Sequence, residues 1–114
     1  MSARIIKAPI AARTLLFWPA KALEETADYG FDWLDVLLWP APNVMDVKPA
    51  DGIKSSSYVL PTGIVASASS NTSTATVVTL TGGVAGEVYS IVNRVETAAG
   101  RTFERTVKLR IRAK

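Results

Sequence analysis

The sequence predicts an all-β sandwich. Three observations carry that expectation. Turn signals recur at regular spacing through the second half of the chain. The runs between them are rich in Val, Thr, Ile and Tyr. The last run alternates apolar and charged residues, which is the period of a half-buried strand.

Taken in order, residues 1–19 are apolar and basic and end in Leu15-Leu16-Phe17-Trp18-Pro19. Nothing in them closes on itself, so they read as an extended N-terminal arm, with residues 20–114 as one domain. Ala20–Ala27 is expected to be extended or a loose turn, with one short helix as the alternative. Asp28–Trp39 reads as a strand. Tyr29, Phe31, Trp33 and Leu37 share one parity, with Trp33 as the core anchor. Its end, Leu34–Trp39, is apolar on both parities, hence covered on both sides or bulged, and Pro40-Ala41-Pro42 stops it. Val44–Lys48 is a possible short strand before a turn at Pro49-Ala50-Asp51-Gly52.

The second half is clearer. Ser55–Leu60 and Ile64–Ala68 are strands separated by Pro61-Thr62-Gly63. Ser69–Ser73 is a polar loop and Thr74–Leu80 the next strand. Thr81–Gly86 is a corner. Val88–Glu96 and Thr102–Arg112 form a hairpin through Thr97–Arg101, where Gly100 suits a left-handed position. On the last strand Phe103, Val107, Leu109 and Ile111 point inward, with Arg105 the odd member.

The corner sharpens the fold. Leu80–Tyr89 holds Gly82, Gly83 and Gly86, which permit a tight crossing between sheets, and Tyr89 is placed to return its hydroxyl to upstream backbone. Such a tyrosine corner, an early core Trp and a late hairpin point to an immunoglobulin- or fibronectin-III-like sandwich. Tyr89 as a plain core aromatic is the alternative.

Composition narrows function. The 114-residue chain has neither Cys nor His. That excludes disulfides, thiolate catalysis and Cys-based zinc sites, and removes the commonest general base. No enzyme activity, cofactor or metal is expected. No run reaches the ~18 apolar residues of a membrane span, and the start has no signal-peptide core. We expect no membrane partner, and a protein kept inside the cell until something assembles around it. Residues 21–50 carry a net −4 and residues 101–114 a net +5. Acidic and basic strands lying side by side, in one domain or between copies, account for this. The stripe Lys108, Arg110, Arg112 and Lys114 has no interleaved exposed aromatics, so nucleic acid is not expected as a partner.

Two stretches together resemble a known family. "AKALEETADYGFDW" is similar to a Lys…Glu…Asp-Tyr…Asp-Trp opening, and "TGGVAGEVYSIVNRVETAAGRTFERTVKLRI" to a closing Gly-Gly-x-x-Gly-x-x-Tyr, Asn-Arg, Thr-x-x-Gly-Arg-x-x-x-Arg pattern. The pair resembles the fibre–tail adaptor proteins of tailed bacteriophages over roughly residues 20–112. Residues 22–25 depart from the pattern, with "ALEE" standing in place of a Pro-Asp-type lead-in. The resemblance implies a structural virion protein on the tail. It would be a subunit of a ring of identical copies, assembled in the bacterial cytoplasm and seating fibres or spikes. Its contacts would be with tail or connector proteins. A head–tail connector or capsid-associated role stays open, as does an adhesion or carbohydrate-binding module. The matching positions are Asp28, Tyr29, Asp32, Trp33, Gly82, Gly83, Gly86, Tyr89, Asn93, Arg94, Gly100, Arg101 and Arg105, and they imply a fold rather than a catalytic set.

Several residues are candidates for contact. Phe17, Trp18, Pro19 and Trp39 fit least easily into a single core. Trp18 is the first choice for a contact with another chain, with a strand folded over the sandwich's open edge as the alternative. Arg94, Arg101 and Arg105 flank the hairpin loop. An inward Arg105 needs a carboxylate or backbone partner, either across a subunit contact or from Glu96 or Glu104 of its own chain. Asp28 and Asp32 would lie about 13 Å apart on one strand face, too far to share an ion. They are expected to face Lys108, Arg110, Arg112 or a neighbour's arginine.

Overall fold

The alternating runs of the second half become strands almost where the sequence puts them. The computed structural model describes residues 4–10, 15–38 and 52–113. Trp39 and the possible strand Val44–Lys48 lie outside the described residues. Among the described residues there are eight strands: β1 (Arg4–Lys7), β2 (Lys21–Ala22), β3 (Ala27–Asp32), β4 (Ile53–Val59), β5 (Ile64–Asn71), β6 (Ala75–Gly82), β7 (Val88–Thr97) and β8 (Thr102–Arg112). One helical turn, α1 (Leu34–Leu38), follows β3.

The strands form two four-stranded sheets, ordered β1-β3-β6-β5 and β2-β8-β7-β4. Inward residues of both fill an all-β sandwich core: Tyr29, Phe31, Trp33, Val78 and Leu80 from the first sheet, Ile91, Val95, Val107, Leu109 and Ile111 from the second. The inward row of the last strand is as read, and Phe103 packs at its rim.

Several segments differ from expectation. Leu34–Leu38 is helical, not the end of a strand. Its apolar residues occupy both parities because they follow a helical period, with Val36 and Leu37 buried. Asp32 starts the turn by accepting from the Leu34 N–H at 3.0 Å. Within the segment read as an arm, the described residues 4–8 and 16–18 lie on the sandwich. β1 runs parallel to β3, pairing Arg4 with Tyr29 through Lys7 with Asp32. Residues 16–18 then run beside β8, with the Trp18 N–H bonded to the Lys108 carbonyl and the Lys108 N–H to Leu16. β5 is longer than expected, because ladder pairing with β6 carries it through Asn71 despite its Ser-rich sequence. Asp28 and Asp32 lie on the first sheet and Lys108, Arg110 and Arg112 on the second, so they do not face one another as expected.

Candidate functional site

Glycines turn the chain between sheets at the corner after β6. Gly82 and Gly83 have φ of 86° and 103°, a region that costs other residues strain. Gly83 is also hemmed in: a Cβ there would lie 2.7 Å from the Ile111 side chain. Gly86 and Gly100 share the left-handed conformation, and Gly100 closes the β7–β8 loop. The hydroxyl of Tyr89 accepts from the Val84 N–H at 3.0 Å. The corner therefore forms with Tyr89 as acceptor.

Trp33 anchors the core through a polar network as well as its ring. Its indole N–H donates to Asn93 Oδ1 at 2.9 Å. The Thr76 hydroxyl donates to the same oxygen at 2.8 Å. Asn93 Nδ2 donates to Ser56 Oγ and the Ser57 carbonyl. Because the Thr76 proton is committed to Asn93, the Tyr58 hydroxyl, 2.7 Å away, must donate to Thr76. Asn93 is thus fully satisfied while joining β3, β6, β4 and β7. Burial pushes the Tyr58 phenol well above its ordinary range. The signal for this network was present in the sequence, since Asn93 falls on the inward parity of its strand.

Lys21 was not singled out, yet it is fully buried. Its ammonium donates to three carbonyls: Ala22, Leu23 and, across on β6, Gly82, the last at 3.0 Å. Burial lowers its pKa, and Glu25 opposes that shift. Arg4 was missed too. It meets Glu25 through both guanidinium nitrogens, at 3.2 and 2.9 Å, and also the Tyr29 hydroxyl. Arg4 first, then the Ala22 N–H, holds the Glu25 carboxyl down at about 2.

The predicted contact residues separate. Trp18 is in the core, 3% exposed, with its indole N–H on the Gly30 carbonyl and its ring stacked 4.9 Å from Tyr29. It caps the open edge of its own sandwich, so its ring is not offered to another chain. Arg105 is buried, and its guanidinium is taken up by carbonyls of its own chain rather than by the Glu96 or Glu104 side chains. It donates to the carbonyls of Pro9, Ile10 and Glu104, with its guanidinium 5.5 Å from the Trp33 ring centre. Burial lowers its pKa. Arg101 reaches back to the Leu37 carbonyl at the end of α1 and lies over Phe103. Arg94 is exposed, 4.0 Å from Glu104 on the neighbouring strand.

Phe17 and Pro19 point outward from the same segment that buries Trp18, and Phe17 is 55% exposed. They lie along β8, on the outer face of the second sheet. Among the described residues no group of three or more acidic side chains is placed to hold a metal. No helix there is long and apolar enough to cross a membrane. What the described surface offers is contact area on a rigid frame.

A family model described as podophage GP4 fiber-tail adaptor protein gp77 matches residues 21–110. The chain belongs to this fibre–tail adaptor family. The match starts at Lys21 and runs through the corner, the Asn93 network and nearly all of β8, so it covers the frame. β1 and the Phe17–Pro19 segment lie outside it. No curated protein matches the chain. Membership makes the chain a structural component of the phage tail, associated with the tail and its fibres.

Proposed function

We propose that this adaptor works without chemistry, as a subunit in a ring of identical copies that seats fibres or spikes on the tail. Assembly takes place in the host cytoplasm. The observation that carries this reading is the division of labour in residues 15–19. Leu16 and Trp18 turn in to close the core, while Leu15, Phe17 and Pro19 stand out beside β8. Large apolar side chains held outward on a satisfied, rigid frame suit protein–protein contact. Cyclic repetition multiplies each modest contact. The sheet order supports an immunoglobulin-like form of sandwich: β1-β3-β6-β5 against β8-β7-β4 corresponds to the ABED and CFG sheets.

Cross-linking mass spectrometry on purified phage particles tests the reading. Links from Lys7 or Lys108 to tail proteins, and to identical copies, are expected. Absence of the chain from the particles overturns it.

A further inference from the structure

The two outer faces of the sandwich differ in charge and in relief. On the second sheet, Phe17 is paired beside Lys108, which faces Ser90. The next row places Arg110 opposite Val88, and Val59 lies opposite Val92. Leu15, Phe17, Val59 and Val88 are all exposed there. This region is bulky, apolar and basic. At the other end of the same face charges offset one another, Arg94 lying 4.0 Å from Glu104.

The first sheet differs. The centre of its outer face is a strip of small and β-branched side chains, Ala75, Val77 and Thr79 on β6 with Ala68 and Ser70 beside them on β5, bordered by exposed Ile5 on β1 and Val65 near the start of β5. Asp28 and Asp32 flank this strip from β3, opposite Thr79 and Ala75. Both are half-exposed. Asp28 accepts from the Thr79 hydroxyl and Asp32 from the Leu34 N–H, so both are held in place. Among the described residues of β1, β3, β5 and β6, Lys7, paired with Asp32 at the β1 edge, is the outward cation.

We propose that the basic, bulky outer face of the second sheet receives the Asp28–Asp32 side of the first sheet of a neighbouring copy, along its central strip of small side chains. This rests on the reading of the protein as one of a set of identical subunits, and it names the surfaces that meet. Charge decides the occupant. Two second-sheet faces stacked on each other would set Lys108 and Arg110 against their own copies, which is repulsive. A first-sheet face brings carboxylates to those cations and a low surface for Phe17 to cover. The contact joins two different patches, so it is head-to-tail, the type that generates closed rings.

Sedimentation velocity on the full chain, up to millimolar concentration, tests this. The wild type is expected to self-associate, more tightly at low salt than at high salt. The double variant K108E/R110E is expected to weaken association by about tenfold or more, with an unchanged melting curve. D28K is expected to weaken it too. Mixing D28K with K108E/R110E restores a contact between the two, because the reversed charges match. A monomeric wild type, an unaffected double variant, or a mixture that fails to associate each overturns the proposal. Detection of the chain in purified tails is scored separately. A chain present in tails but monomeric in solution leaves the adaptor reading standing and removes this one.

Discussion

Asn93 shows how a single polar side chain can hold a core in register. All its hydrogen-bonding capacity is used, by Trp33, Thr76, Ser56 and Ser57. Truncating it strands the Trp33 indole N–H and the Thr76 hydroxyl away from water, at about 1–3 kcal/mol each. Asn93→Ala is therefore expected to lower stability in urea by about 3 kcal/mol or more. Tyr58→Phe removes a donor at the network's end and should cost about 1 kcal/mol. Equal losses for the two variants would contradict the network. Glu25 makes a pH prediction. Its carboxyl sits at about 2 against an ordinary 4.5, held there first by Arg4. A depressed acid stabilises the fold above its ordinary pKa and loses that contribution as it protonates. The stability gap between wild type and Glu25→Gln should thus close as pH falls from about 4.5 towards about 2. A gap that persists to the bottom of that window counts against the assignment.

At the scale of elements, the segment before β2 is the one most dependent on distant partners. Trp18→Ala removes a ring packed on Tyr29 and Phe31, and is expected to cost about 3–5 kcal/mol. A loss below 1 kcal/mol, about the cost of a surface change, would mean the ring is not part of the core. Arg105→Met keeps the volume beside Trp33 but frees the carbonyls of Pro9 and Ile10. Amide hydrogen exchange in residues 4–8 should accelerate about tenfold, with β7 unchanged. These contacts also mark what the sequence conveyed and what it did not. The β8 boundaries, the inward row of that strand and the glycine corner were legible, because they follow from local period and turn chemistry. Arg105 was legible as an inward cation, but its partners were not. Backbone carbonyls carry no residue identity, so nothing in the sequence marks Pro9 and Ile10 as acceptors. Trp18 was misassigned for a related reason. Its strand partner, Lys108, is far away in sequence, and a run of bulky residues on both parities gives no hint of which side turns in. The one-turn helix was hidden because five apolar-rich residues with both parities filled read equally well as a strand covered on both sides.

For the molecule as a whole, the pairings are mostly between segments far apart in the chain: β3 with β6, β2 with β8 and β4 with β7. A fold of this kind is expected to be cooperative, since no strand pair buries its own face. A chain ending at Gly100 lacks β8, the strand that β2 and β7 both use. It should show no cooperative urea transition, and a sharp one would mean that the core closes without that strand. The charge asymmetry along the sequence becomes, in three dimensions, two unlike outer faces on one rigid body. That arrangement was half visible beforehand. Acidic and basic segments were expected to meet, and the sandwich instead sends Asp28 and Asp32 to one side and Lys108 and Arg110 to the other.

The pairing of Phe17 with Lys108, and of Lys21 with Ile111, has a consequence for how the fold holds together. Residues 16–18 and β2, near one end of the domain, are completed by β8 at the other. Without β8 the backbone of Leu16 and Trp18 lacks its Lys108 partner, and without β6 the buried ammonium of Lys21 lacks the Gly82 carbonyl. The backbone of residues 16–22 is therefore paired only when the far end of the domain has folded, which makes β8 the strand that closes both ends of the fold.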